Sequence, residues 1–187
     1  LDGTIEGTAR NAGWLDLKLQ PERRNRVKVL LFLDVGGSMD PHVEVCEQLF
    51  SAAKIEFRHL EHSYFHNCIY DHVWRDNARR RTERVSTLDL IRSYGPDWRV
   101  VIVGDAAMSP YELLEVAGSV EYNNDEPGLA WLGRLFEHFR HRIWFNPEPS
   151  RAWVYTRSTQ IVLRALGPKM FPLTLAGVAE GIDALRK

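Results

Sequence analysis

Four oxygen-bearing residues, Asp34, Ser38, Thr87 and Asp105, are spaced so that a fold could bring them together. Asp34 halts an apolar run (Val27, Val29, Leu30, Leu31, Phe32, Leu33), and Asp105 follows Gly104 at the end of a second run over residues 99–103. Ser38 lies on the same loop as Asp34, past Gly36 and Gly37, and Thr87 stands at a helix start between the two runs. If the runs are neighbouring strands, both carboxylates meet at one rim, with hydroxyls arriving from two loops. Convergent oxygen ligands suit a hard divalent cation, Mg²⁺ first and Mn²⁺ or Ca²⁺ as alternatives. A strand-end aspartate with Mg²⁺ also serves phosphoryl transfer, so a Mg-dependent phosphoryl-transfer enzyme built on Asp34 is the alternative reading. Such enzymes normally need a second acid two residues on and a downstream lysine. Here that place is Gly36, and no lysine follows a strand where one is needed.

The elements that must position these residues read as alternating strands and helices. The near-continuous hydrophobicity of residues 27–33 suits a strand buried on both faces, in the middle of a parallel sheet. Residues 99–103 and 142–145 repeat the pattern. Between them, residues 41–54 place Val43, Cys46, Leu49, Phe50 and Ala53 at helical spacing. Residues 55–74 turn extended and aromatic, with turn residues at His66-Asn67, and predict an antiparallel hairpin at the outer edge. Residues 75–84 form a polar connector, and Ser86 caps a short helix that ends at Gly95-Pro96. Further helices are predicted from Ser109-Pro110, over residues 129–139 and 158–166, and from Thr174 onward. A short edge strand is predicted at residues 14–19 and an extended piece at 169–173. The fold class is therefore α/β, a doubly wound, mostly parallel sheet flanked by helices with one antiparallel edge hairpin. No linker divides the chain, so residues 1–187 read as a single domain.

Composition excludes several functions. A net charge of −1 gives no basic excess for nucleic acid. Cys46 and Cys68 form no CxxC pair, which argues against a disulfide scaffold or a structural zinc site and predicts a cytoplasmic protein. No apolar run approaches the roughly 20 residues of a membrane helix. The run Arg75, Arg79, Arg80, Arg81, Arg84 reads as a solvated face. His59, His62, His66 and His72 with Cys68 make a poor zinc set: His62 and His66 share a strand face but stand ~13 Å apart. Asp71 and Asp76 flank the hairpin with nothing else that points to catalysis, and Trp131, Trp144 and Trp153 most simply fill the core.

The string Asp34-Val35-Gly36-Gly37-Ser38, with Thr87 and Asp105, resembles the metal-ion-dependent adhesion site of von Willebrand factor type A (VWA) domains. That family's motif is Asp-x-Ser-x-Ser on the first loop, a Thr on the second and an Asp on the third. Residues 70–76, 103–112 and 170–174 resemble its bacterial CoxE-like branch, and the likeness runs from about Asp16 to Lys187. There the domain is the C-terminal part of a longer protein, in keeping with a first residue Leu1 rather than Met. The resemblance implies a binding module, not an enzyme. Its cation keeps an open position for a partner's carboxylate, and the partner is a MoxR-type AAA+ ATPase with which it acts, chaperone-like, on a client protein. It implies Asp34, Ser38, Thr87 and Asp105 as metal ligands and Gly36, Gly37, Met39, Ala107 and Met108 as the rim a partner meets. Thr82 competes with Thr87 for the second-loop role. Gly36 departs from the motif, standing where the first serine belongs. Water would take that ligand's place, and a serine at 36 would restore it if the loop has room.

Overall fold

The computed structural model describes residues 25–77 and 83–186. Its centre is β1 (Asn25–Asp34), whose residues alternate between two cores. Leu30 and Phe32 face one core, together with Trp131, Leu132, Leu135 and Val162. Val29, Leu31 and Leu33 face the other, with Cys46, Leu49, Phe50 and Val178. The same alternation holds in β5 (Arg99–Val103) and β6 (Arg142–Asn146): Val100, Ile102 and Trp144 point one way, Val101, Val103, Ile143 and Phe145 the other. A strand covered on both faces has no polar side, and this is why the apolar runs are unbroken. Complete burial of Phe32 or Ile102 contributes roughly 2–3 kcal/mol each.

Among the described residues seven strands form one sheet, in the order β4 (Arg84–Ser86), β3 (His72–Trp74), β2 (Phe57–Phe65), β1, β5, β6 and β7 (Met170–Pro172). β1 pairs in parallel with both β2 and β5, so residues 27–33 and 99–103 are adjacent parallel strands as expected. β5, β6 and β7 continue in parallel. β3 is the reversed strand, antiparallel to β2 and to β4. The expected edge hairpin is thus present but is not the edge. β4 lies outside it, within and just past the stretch read as a polar connector, because three residues with Val85 alone apolar are too few to carry a strand period. The predicted strand at residues 14–19, and Thr82 with Arg79, Arg80 and Arg81, lie outside the described residues.

The helices are α1 (Val43–Glu56), α2 (Thr87–Ser93), α3 (Pro110–Leu114), α4 (Gly128–His138), α5 (Arg157–Leu166) and α6 (Leu175–Arg186). A 3₁₀ turn, Gly37–His42, precedes α1 and contains Pro41, so the α-helix starts later than the sequence suggests. A second 3₁₀ turn, Ser150–Tyr155, was not anticipated. Ser86 does cap α2, its Oγ accepting from the Asp89 amide at 3.3 Å. None of the helices among the described residues is long and apolar enough to cross a membrane. The chain leaves β1 towards β2 on one side and β5 towards β6 on the other, so the loops after β1 and β5 part company. Open α/β sheets form their ligand crevice where that happens.

Candidate functional site

Asp34 is the last residue of β1 and is almost fully buried. Its Oδ1 accepts the amides of Gly36 and Asn67, both at 2.9 Å. Its Oδ2 is buried with no partner among the described residues and lies against Gly104, where a Cβ would come within 3.1 Å of it. Burial raises the Asp34 pKa, the two amides lower it, and the like charges of Asp105 and Glu112 raise it again, leaving it at about 7. Desolvation wins because neither amide brings a net charge.

Asp105 sits just past β5 on the neighbouring loop, also buried. Its Oδ1 accepts the Ala107 amide at 2.8 Å and its carbonyl accepts Asn146 Nδ2 at 2.7 Å. Next to it, Ala106 adopts a left-handed φ of 54°, which an alanine holds only when its surroundings impose it. They do so here: the Ala106 carbonyl accepts Ser158 Oγ at 2.8 Å and Thr159 Oγ1 at 3.2 Å, while Ser158 Oγ accepts the Met108 amide at 3.1 Å. The indole of Trp144 donates to the Gly104 carbonyl at 2.7 Å. The first turn of α5 and two β6 side chains therefore fix the loop that aims Asp105.

Glu112, on α3, is the third acid and is buried too. Asn67 Nδ2 donates to both its carboxylate oxygens, at 3.1 and 3.3 Å, and the Ser109 amide donates to Oε1 at 3.3 Å. Burial raises its pKa and these donors pull it back. Among the described residues no lysine, arginine or histidine pairs with Asp34, Asp105 or Glu112. Nor do any three His, Cys, Asp or Glu side chains there converge tightly enough to hold an ion alone, so a cation at this rim needs neutral oxygens or water as well.

Ser38 is exposed, and with Asp105 it lines a cavity of about 240 Å³ closed by Glu148, Trp153, Thr156 and Thr159. Asp34 opens onto a neighbouring cavity of about 330 Å³ with Met39, Cys46, Phe50, Tyr64 and Asn77. Thr87 is not gathered with them. It follows β4, the third strand out from β1 and so roughly 14 Å across the sheet. Its amide donates to the Asp71 carbonyl at 2.8 Å, and its Oγ1 is buried without a partner among the described residues.

Of the expected partner rim, Gly37 and Ala107 are exposed, but Gly36 is buried and Met39 and Met108 keep only 3% and 8% of their surface. Met108 belongs to the core that holds Leu113 and Trp131, and Met39 is buried within the 3₁₀ turn after β1, so neither presents the surface a partner contact needs. A serine at 36 would have to displace the Asn67 side chain, since a Cβ there would meet its Oδ1 at 2.2 Å.

The histidines have other occupations. His62 packs on Phe50 and Tyr64, His66 meets Glu121 at 3.5 Å, and His72 Nδ1 meets Asp71 at 3.0 Å. Burial pushes the Cys46 thiol up to about 11 and Cys68 further, so neither is a ready thiolate nucleophile at neutral pH.

Asn67, Glu112, Asn146, Ser158 and Thr159 were not anticipated at the site. Asn67 carried a signal, since asparagine in a turn tolerates positive φ, but nothing in the sequence says where its amide points. Compared with protein-family models, curated proteins and solved structures, the chain matches none of them.

Proposed function

We propose that this chain is a metal-dependent protein-binding module of the VWA kind, in its CoxE-like form. A divalent cation, Mg²⁺ first, sits at the crevice between β1 and β5 and accepts a carboxylate from a partner protein. Asp34 and Asp105 supply the charge and Ser38 a hydroxyl, with water completing the shell. The partner is a MoxR-type AAA+ ATPase, and the pair remodels or matures a client protein. The observation that carries this reading is a group of buried acids, Asp34, Asp105 and Glu112, none of which pairs with a lysine, arginine or histidine among the described residues, with Asp34 Oδ2 left without a partner there. A buried carboxylate oxygen without a partner costs about 1–3 kcal/mol or more, and a bound cation removes that cost. Asp34 and Asp105 hold the cation, while the amides on their Oδ1 atoms keep each carboxylate aimed.

The test is thermal unfolding with and without millimolar Mg²⁺ or Mn²⁺. A ligand that binds only the folded state raises the melting temperature by mass action. The wild type is expected to respond and Asp34→Ala to lose the response. An equal rise in both would put the metal elsewhere and sink the site.

A further inference from the structure

Gly36 is glycine for want of space, not for want of conformation. Its φ of −61° and ψ of 154° are open to any residue. What forbids a side chain is Asn67, whose Oδ1 lies 2.2 Å from where the Cβ would stand, with Asp34 Oδ1 3.2 Å from the same point. An oxygen from another loop therefore already fills the place that a side chain at 36 would occupy.

We infer that Asn67 supplies, through Oδ1, the neutral oxygen ligand that Gly36 lacks; the inference rests on the cation reading above. Three features of Asn67 support the assignment. Its amide donates to Asp34 Oδ1 at 2.9 Å, so its position is tied to the first acid. Its φ of 57° is left-handed, a conformation asparagine tolerates and most residues do not, and it turns the side chain back over the β1 loop. Its Nδ2 donates to both oxygens of Glu112, at 3.1 and 3.3 Å. A carboxylate can only accept, so Glu112 fixes which way the amide faces and turns Oδ1 towards Gly36 and Asp34. No hydrogen bond among the described residues uses that Oδ1. An amide carbonyl oxygen is an ordinary ligand for Mg²⁺, Mn²⁺ or Ca²⁺ and, like a serine hydroxyl, adds no charge. Glu112 is then a positioning residue, acting on the cation through Asn67.

The assignment predicts a compensating pair. Mn²⁺ affinity is measured by calorimetric titration on the purified chain, with circular dichroism to check that each variant is folded. Asn67→Gly keeps the positive φ and removes the amide, and is expected to weaken Mn²⁺ binding at least about tenfold. Gly36→Ser alone is expected to weaken it too, because the new side chain displaces Asn67. Gly36→Ser with Asn67→Gly has room for the hydroxyl and is expected to recover to within about threefold of wild type, which a merely structural role for Asn67 would not produce. If Asn67→Gly does not fold, Asn67→Ser replaces it. Wild-type affinity in the folded Asn67 variant, with binding still lost in Asp34→Ala, overturns the role of Asn67 and leaves the cation site standing. No Mn²⁺ binding by the wild type, or equal binding by Asp34→Ala, overturns the site itself.

Discussion

At the scale of the residue, Asp34 is held between two demands. Its backbone neighbours treat it as an anion, with two amides on Oδ1, yet burial favours the neutral acid and places its pKa at about 7. The consequence for stability has a definite sign. Between about pH 4 and 7 the folded state keeps a proton that the unfolded chain has released, so in chelator stability falls as pH rises through that window and levels off above it. The size is on the order of a few kcal/mol at most, from about 1.4 kcal/mol per pH step. Asp34→Asn cannot ionise and should lack this slope, so urea unfolding at pH 5 and pH 8 in chelator should show it overtaking the wild type at the higher pH. Parallel curves would mean that Asp34 is not desolvated. Thr87 gives a second residue-scale outcome. Its Oγ1 is buried without a partner among the described residues, so the isosteric Thr87→Val is expected to be neutral or stabilising by up to about 1 kcal/mol, with an unchanged metal response. A lost metal response would return Thr87 to the ligand set.

At the scale of the element, the site is made by two strand ends and the loops beyond them. Gly104 closes β5 against Asp34, and a Cβ there would stand 3.0 Å from Asp34 Cβ and 3.1 Å from its Oδ2. Gly104→Ala should push the carboxylate out of place, costing about 1–3 kcal/mol by chemical unfolding and blunting the metal response. An unchanged metal response would mean that the carboxylate has slack. These strand ends were legible in the sequence because burial on both faces leaves an unbroken apolar run, and the first polar residue after it must lie at the rim. The pairing of β1 with β5 was legible for the same reason. β4 was not, since Arg84-Val85-Ser86 is held by its pairing with β3 and carries no pattern of its own. Nor was the left-handed turn at Ala106, which is set by Ser158 and Thr159 some fifty residues on. Contacts over such separations are invisible to any local rule. Asn67 reads in the sequence only as a turn residue, and its place at the site depends on Glu112, which the sequence places in a helix and in the stretch 103–112 without a role.

At the scale of the whole molecule, the proposed function turns on what meets this rim. Exposed residues at the two cavities beside the acids include Ser38, Asp40 and Ala107, and the 3₁₀ turn Ser150–Tyr155 adjoins them through Ala152 and Trp153. With a net charge of only −1, long-range attraction would contribute little to a partner's approach, and the proposed recognition rests on short-range chemistry at the site. In a binding module the cation's remaining position waits for a carboxylate from another chain. Metal and partner then strengthen one another by the same factor, whichever binds first. On the proposed reading, binding to a MoxR-type ATPase, followed by titration, should therefore weaken on adding chelator and on Asp105→Ala, a residue that belongs to neither core. Association indifferent to chelator and to Asp105→Ala would end the carboxylate-bridging mechanism. Metal-dependent turnover of a phosphoester that disappears in Asp34→Ala would instead make the same rim an active site.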